Sequence, residues 1–444
     1  MSQLNSQTSS LDTEEIATDA FVSEKIEPKL IPRPVSLWRN RDYLLLWNGQ
    51  LLSSIGSQIS QIAFPLLVLA ITFSPAQAGI VGALRGLPFA LLCLPAGALV
   101  DRWDRKKVML ICDTGRAIAM GSIPIAIWFE RLSFLQLCLV ALVEGTLMTF
   151  FSIAELTCLP HIVSKEQLPA ATAQNQAIDS ASWTVGPFLG GLLYGLGRSV
   201  PFLMDALSYV CSVLGLLFVR AHFQDERTEP TRKIWHEIGE GFLWLWHEPV
   251  LRFLAILACG LIMPSIGFSL ILITLAQNQH ASSLVIGILF ASGGVGSILG
   301  AFLTDPLQKR FTFGQLTIGT AWVWAVSWLA LAIAPNTLIL GFANAVSFII
   351  VPIYMSTQFS YRLIVIPDAL QGRVQSIYRL LSFGSQPLGL ALTGFLIQWL
   401  GPIWTVVVLF FPQGIFALAA TLYRPLREAP SLTDLARREP SNLS

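Results

Sequence analysis

The chain has 444 residues, of which 54% are hydrophobic and only 12% are charged, and its formal net charge is +1 at pH 7. That charged share is about half of what soluble domains carry, so the composition excludes a disordered chain and argues against a soluble enzyme. A helical crossing of a bilayer takes about 20 apolar residues, and the chain has enough for about twelve crossings.

The N-terminal 40 residues are polar. They show no basic region followed by an apolar core, so we do not expect a cleaved signal peptide here. We expect residues 1–40 to form a disordered cytoplasmic tail. Arg39 and Arg41 then lead into the first apolar stretch.

Twelve long apolar stretches follow, and each is predicted to be helical because lipid offers no partner to a free backbone amide. In the first half they lie at about 42–72, 76–100, 107–129, 134–156, 170–196 and 200–219. In the second half they lie at about 249–277, 282–304, 313–334, 337–361, 372–399 and 402–423.

Basic residues are distributed unevenly between the connections. Those after even-numbered stretches are rich in Lys and Arg, with Lys107 and Arg310 as examples, whereas the opposite ones hold Arg131 and Arg198. Basic loops stay in the cytoplasm. We therefore predict a multi-pass protein of the cell (plasma or inner) membrane with both termini cytoplasmic.

A polar interruption in the middle of the chain divides it into two parts. Residues 220–248 form a predicted cytoplasmic linker with an aromatic, amphipathic helix that we expect to lie on the membrane surface. The predicted domains are a six-helix bundle over 41–219, a second one over 249–423 and a cytoplasmic tail over 424–444.

The loop after the second stretch carries the most specific motif, Gly97-Ala-Leu-Val-Asp101-Arg102-Trp103-Asp104-Arg105-Lys106-Lys107. This string resembles the loop 2–3 signature of the major facilitator superfamily. Asp104 replaces the usual second glycine, which is similar to the drug-efflux branch with macrolide and enterobactin exporters. The resemblance implies an all-α polytopic fold of twelve helices in two six-helix pseudo-repeats.

This loop is expected to form a cytoplasmic gate. Its residues are Gly97, Asp101, Arg102, Arg105 and Lys106. An aspartate there can accept hydrogen bonds from the amide end of a helix or from an arginine, and so latch two helices. The alternative is that the basic residues only anchor the loop on the inner side.

The fifth stretch contains Gly186-Pro187-Phe188-Leu189-Gly190-Gly191. This resembles the GPxxGG element of the same superfamily, which is associated with exporters that work as antiporters. Glycines four residues apart let another helix approach closely, and Pro187 can bend the helix. Simple helix packing remains the alternative.

The connection before the eleventh stretch reads Val365-Ile-Pro-Asp368-Ala-Leu-Gln-Gly372-Arg373. It resembles the loop 10–11 string of the efflux branch. The resemblance adds Asp368 and Arg373 to the predicted cytoplasmic gate.

Ionisable residues lie deep within the apolar stretches of the first half, where charge is costly and is a candidate for function. They are Arg85, Asp113, Arg116, Glu144, Asp179 and Asp205. Asp113 and Arg116 are three residues apart and can pair on one helix face, so we expect a structural ion pair.

The family resemblance places helices one, two, four and five around a central cavity, which favours Arg85, Glu144 and Asp179 as cavity groups. A carboxyl that is alternately dry and hydrated can bind and release a proton. Glu144 is therefore the first candidate for proton coupling, and Asp179 is the second. The alternative is that Glu144 forms a permanent ion pair with Arg85 or Arg116, and Asp205 is expected to be structural.

Motifs of other chemistries are absent from the sequence. There is no GxxxxGK[ST] loop, no HExxH and no GxSxG, and the six cysteines are scattered, so we expect no enzyme, no cofactor and no metal site. The scattered basic residues argue against nucleic acid.

The sequence predicts a secondary active transporter. We expect it to export a hydrophobic or amphipathic small molecule (a drug, siderophore or lipid-like metabolite) by proton antiport with alternating access. Its expected partners are that substrate, protons and the lipid bilayer, and we expect a monomer. The alternative is a non-transporting scaffold or receptor that docks partners through its tails.

Overall fold

The computed structural model describes residues 37–100, 102–164, 166–220, 234–431 and 434–435. All regular structure in those ranges is helical. The predicted N-terminal tail, Asp101 of the predicted gate, most of the linker before residue 234 and most of the C-terminal tail lie outside the described residues.

Six long helices make up the first half, after a 3₁₀ turn at Leu37–Arg39. They are α1 (Arg41–Thr72), α2 (Pro75–Val100), α3 (Arg105–Trp128), α4 (Phe134–Ile162), α5 (Leu168–Leu196) and α6 (Val200–Phe218). The amphipathic helix α7 spans Ile234–His247.

The described part of the second half is divided into more helices, most of which are shorter than those of the first half. They are α8 (Pro249–Ser265), α9 (Phe268–Asn278), α10 (Ser283–Arg310), α11 (Phe313–Ala332), α12 (Thr337–Val365), α13 (Asp368–Phe383), α14 (Gln386–Leu422) and α15 (Arg424–Arg427).

Short polar side chains start the helices at the ends of the apolar stretches. Asn40 accepts a hydrogen bond from the backbone N–H of Tyr43 at 3.1 Å, and Asp104 accepts one from that of Lys107 at 3.2 Å. These caps satisfy backbone donors that a helix leaves free at its N-terminus. Asp104, the residue that departs from the loop signature, therefore defines where α3 begins.

The described residues contain ten helical segments that are long and apolar enough to cross a membrane. α5 has 29 residues but is not among these ten, because its sequence is more polar. The last segment, Arg373–Leu422, has 50 residues and includes a non-helical break at Gly401, between the predicted eleventh and twelfth stretches. The all-α polytopic class is confirmed, and the count of twelve stays a prediction.

The two halves pack their helices in the same way. In the first half α2 crosses α4, and a Cβ on Gly145 would overlap the carbonyl oxygen of Arg85. In the second half α10 crosses α12, and a Cβ on Gly296 would overlap the carbonyl oxygen of Ala345. Glycine at each crossing lets the two backbones touch, as expected for repeated units.

Candidate functional site: a buried ion network and the face it presents

In each half, the start of its first helix lies at the same end of the bundle as the end of another of its helices. In the first half the Asn40 side chain before α1 donates to the carbonyl of Ile162 at the end of α4, at 2.9 Å. In the second half the Tyr423 hydroxyl after α14 donates to the carbonyl of Pro249 at the start of α8, at 3.1 Å. We call this face the tail side and the other the opposite side.

Glu144 of α4 lies at the centre of a buried ion network in the first half. One carboxylate oxygen accepts from Nε of Arg85 (α2) at 2.6 Å, and the other accepts from Nη2 of Arg116 (α3) at 3.2 Å. The Glu144 side chain is completely buried, whereas that of Arg85 is 18% exposed. Glu144 therefore lies behind Arg85, and Arg85 is the charged group that reaches accessible space. The assignment of Glu144 as a cavity group and proton carrier stays a prediction.

Arg116 links Glu144 to two further helices. Its Nη1 donates to Asp113 at 3.3 Å, and its Nη2 donates to the Tyr209 hydroxyl of α6 at 2.7 Å and to Ser57 of α1 at 3.2 Å. The guanidinium carbon also lies 4.1 Å from the centre of the Tyr209 ring. A buried arginine with this many acceptors holds α1, α3, α4 and α6 in one arrangement.

Asp205 of α6 lies beside this network and has no cationic partner among the described residues. Its Oδ2 accepts from the Ser60 hydroxyl of α1, and its Oδ1 faces the Ser208 hydroxyl at 3.5 Å. No Lys, Arg or His lies within ion-pair distance of this carboxylate in the part of the chain that the structure describes. Asp205 is fully buried.

Asp179 has a different environment from Glu144. It is exposed on α5, in its tail-side half. The exposed face around it is polar, with Thr172, Gln176 and Ser180 at helical spacing. Polar side chains that are exposed on a membrane-length helix generally face water rather than lipid, which indicates that this face of α5 borders water.

The halves close on each other at the opposite side. A Cβ on Gly191 of α5 would lie 2.5 Å from the Cα of Gly287 of α10. Ser74, before α2, donates to the Gln398 side chain of α14 at 2.9 Å. The halves are thus in contact at the opposite side, while the polar face of α5 is exposed in its tail-side half.

The predicted gate residues tie helices together within the first half. Arg105 donates from Nη1 to the carbonyl of Thr157 at 3.0 Å, and Lys106 donates to that of Val219 at 2.5 Å. Arg102 is exposed, and a Cβ added to Gly97 would meet nothing within 4 Å. In the second half Arg373 lies on α13, and Asp368 is the first residue of that helix.

The glycines of the predicted exporter element contact two other helices. A Cβ on Gly186 would overlap Gln58 of α1, and one on Gly190 would lie 2.7 Å from the carbonyl oxygen of Ile59. Gly191 faces α10 instead, as described above. Pro187 is buried between these contacts. The element therefore places α5 against α1 and against the other half at once.

Sequence reasoning missed several members of this site. Ser57, Ser60 and Tyr209 are uncharged, so nothing in the sequence separated them from other apolar-stretch residues. Glu155 is half-buried in α4, and its Oε1 has no hydrogen-bond partner among the described residues. It lies eleven residues after Glu144, on the same helix face, and that spacing could have revealed it.

Comparison with known proteins adds the family context. The family model described as transmembrane secretion effector matches residues 33–435. A multidrug efflux pump, Tap of Mycolicibacterium fortuitum, is 29% identical over 402 residues, which cover 87% of this chain and 96% of that protein. An enterobactin exporter, EntS of Citrobacter koseri, is 24% identical over 404 residues, or 87% of this chain and 93% of that protein.

A solved structure shows the same fold. A bacterial homologue of the human lysosomal transporter Spinster, in an inward-facing and unoccupied conformation, superposes with a TM-score of 0.70 at 16% sequence identity. The match covers 88% of this chain and 99% of that one.

Proposed function

Because this chain belongs to the transmembrane secretion effector family, within the major facilitator superfamily, and is a multi-pass membrane transporter, we propose that it exports a small hydrophobic or amphipathic molecule by proton antiport. The names of its relatives, a multidrug efflux pump and an enterobactin exporter, support a drug-like or siderophore-like substrate. The tail side is the cytoplasmic face in this proposal, since the basic connections lie there.

The observation that carries the proposal is the asymmetry of the bundle. The halves touch at the opposite side through Gly191 and Gly287, while the α5 face around Asp179 is exposed toward the tail side. A substrate in the cytoplasm can therefore reach the space between the halves. If the glycine contacts then separate and the tail side closes, the substrate is released outside.

Arg85 and the predicted gate have defined roles in this cycle. Arg85 presents the partly exposed end of the ion network to the substrate space and orients polar groups of the substrate. The cytoplasmic gate comprises the loop 2–3 residues together with Asp368 and Arg373. Glu144 is held by two arginines, which favours a role in holding Arg85 in place over a role as a free proton carrier.

Transport by the purified full-length chain in lipid vesicles tests the proposal. Vesicles with an imposed pH gradient should accumulate a fluorescent dye or drug against its concentration gradient, and a protonophore should abolish the accumulation. Asp305→Asn is a control, because Asp305 is exposed and pairs only with Lys309 of the same helix, at 2.7 Å, among the described residues. If accumulation continues after the pH gradient has collapsed, proton antiport is refuted, but export still stands.

A further inference from the structure

The buried charges around Glu144 do not balance. The network holds two arginines, Arg85 and Arg116, against three carboxylates, those of Asp113, Glu144 and Asp205. If all five side chains were ionised, the interior would carry one uncompensated negative charge. Such a charge is expensive inside a protein surrounded by lipid, and one bound proton removes it.

The contacts indicate which carboxylate holds that proton. Glu144 contacts both arginines, and Asp113 contacts Arg116 at 3.3 Å. Among the described residues, the Asp205 carboxylate has hydrogen-bond contacts only with the hydroxyls of Ser60 and Ser208. A hydroxyl can donate to a carboxylate or accept from a carboxylic acid, so this environment accommodates both protonation states.

Helix α1 provides a pocket for the Asp205 side chain. A Cβ on Gly56 would lie 2.6 Å from Oδ1 of Asp205 and would overlap the Ser208 hydroxyl. Ser60 is one turn further along α1 and is fully buried. A glycine that gives room and a serine that donates, one turn apart, form a site shaped for a carboxyl group.

We propose that Asp205, within the Gly56–Ser60 pocket, binds the coupling proton, and this inference rests on the proton antiport proposed above. One proton adds to a carboxylate oxygen of Asp205 and makes the network neutral. On release it passes to water, and the network carries one net negative charge.

The charged and titratable groups that act on Asp205 come from several helices. They are Arg116 of α3, Glu144 of α4, Arg85 of α2 and Tyr209 of α6 itself, with Asp113 on the far side of Arg116. The polar side chains that α1 contributes near Asp205 are hydroxyls, that of Ser60 directly and that of Ser57 through Tyr209. Loss of the proton therefore changes the field at Arg85, where the substrate space begins.

The same pocket is connected to the moving contacts between the halves. Gln58 and Ile59 lie between Ser57 and Ser60 on α1 and pack against Gly186 and Gly190 of α5. α5 in turn touches α10 at the opposite side. When the halves separate there, the packing of α5 against α1 changes next to Asp205. Asp205 is also only about 8 Å from the opposite-side end of α6. The proton thus exchanges with the outside as that side opens.

Infrared difference spectroscopy of the purified full-length protein tests proton binding directly. Raising the pH should remove one protonated carboxylic acid band in the wild type. Asp205→Asn should lack that band, and Asp305→Asn should retain it. A band that persists in Asp205→Asn and disappears in Glu144→Gln or Asp113→Asn would overturn the proposal.

Transport assays distinguish a failure of the Asp205 assignment from a failure of proton antiport. Asp205→Asn should lose the accumulation driven by a pH gradient while still exchanging labelled for unlabelled substrate, and Asp205→Glu should regain part of it. If wild-type accumulation needs the gradient and Asp205→Asn keeps full accumulation, the Asp205 assignment fails and antiport stands. If accumulation by the wild type does not depend on the pH gradient, antiport itself is refuted. A thermal unfolding curve that matches wild type checks that Asp205→Asn is folded, and Asp205→Glu tests the site if it is not.

Discussion

The two halves share a backbone plan and differ in the chemistry of their interiors. In the first half Arg116 and Glu144 connect three helices through charge. In the second half neutral groups take that place. The Asn344 side chain donates to the carbonyl of Leu289 at 2.7 Å, and the Gln358 amide donates to Thr317 at 3.1 Å.

Among the described side chains of the second half, Arg362 is the buried charged one. Arg362 is 8% exposed and lies near the tail-side end of α12, over the Tyr378 ring at 3.9 Å. An interior without ions needs no counter-charge and no proton, since a hydrogen-bonded amide is satisfied at any pH near neutral. Under the proposed antiport, the first half would carry the energy coupling and the second half would provide a surface for it to close against.

The largest expected effect comes from joining the halves where they touch. Replacing Ser74 and Gln398 by cysteines, after removal of the six native cysteines, places two thiols across the opposite-side contact. A short thiol cross-linker should then abolish transport, because alternating access needs that side to open. Vesicle uptake before and after a cleavable cross-linker is the measurement.

A cross-link within one half is the control. Ser122 and Gln136 lie together in the first half, with the Gln136 amide 3.4 Å from the Ser122 hydroxyl. Cysteines there should cross-link without loss of transport. Equal inhibition by both cross-links would show that the halves do not move as units.

Loss of a buried charge should cost far more than loss of a buried amide. Arg116→Met leaves Asp113 and Glu144 partly uncompensated and should lower the free energy of unfolding by about 3–5 kcal/mol. Gln358→Leu removes one neutral hydrogen bond and should cost about 1 kcal/mol. Thermal unfolding in detergent measures both, and equal losses would contradict the proposed difference between the halves.

Alanine substitutions at the glycine crossings should lower the stability of the protein by similar amounts in the two halves. Gly145→Ala and Gly296→Ala each put a methyl group against a backbone carbonyl, which should cost about 1–3 kcal/mol. Gly319→Ala meets nothing within 4 Å and should cost nothing. The same unfolding assay applies. A large loss in only one half would mean that the halves differ in packing as well as in charge.

The smallest effects concern lysines at the tail side. Lys106→Ala removes a hydrogen bond from α3 to the carbonyl of Val219 after α6 and should destabilise the protein by about 1 kcal/mol. Lys309→Ala in the second half removes an exposed pair with Asp305 on its own helix and should leave stability unchanged. Unfolding midpoints at low and high salt would compare them, and a larger loss for Lys309→Ala would contradict the expectation.

Much of the architecture could be predicted because it depends on local patterns. Long apolar stretches separated by basic loops predict the helices, and most predicted bounds lie close to the observed ones. The differences are a longer α4 and α10, a break between α8 and α9, and a break between α13 and α14. The ion pair of Asp113 and Arg116 follows the spacing of one helix turn. The contact of Arg85 with Glu144 joins residues 59 positions apart, so no local pattern selects it over a free Glu144 carboxyl.

The sequence by itself determined that this chain is a helical membrane protein with costly charges in its first half, because hydrophobicity and charge act residue by residue. Only the tertiary structure decided which carboxylate receives two arginines and which receives two hydroxyls. Those partners depend on how each helix is rotated about its axis and where it crosses its neighbour. That rotation makes Arg85 the exposed end of the network and leaves Asp205 without a counter-charge among the described residues.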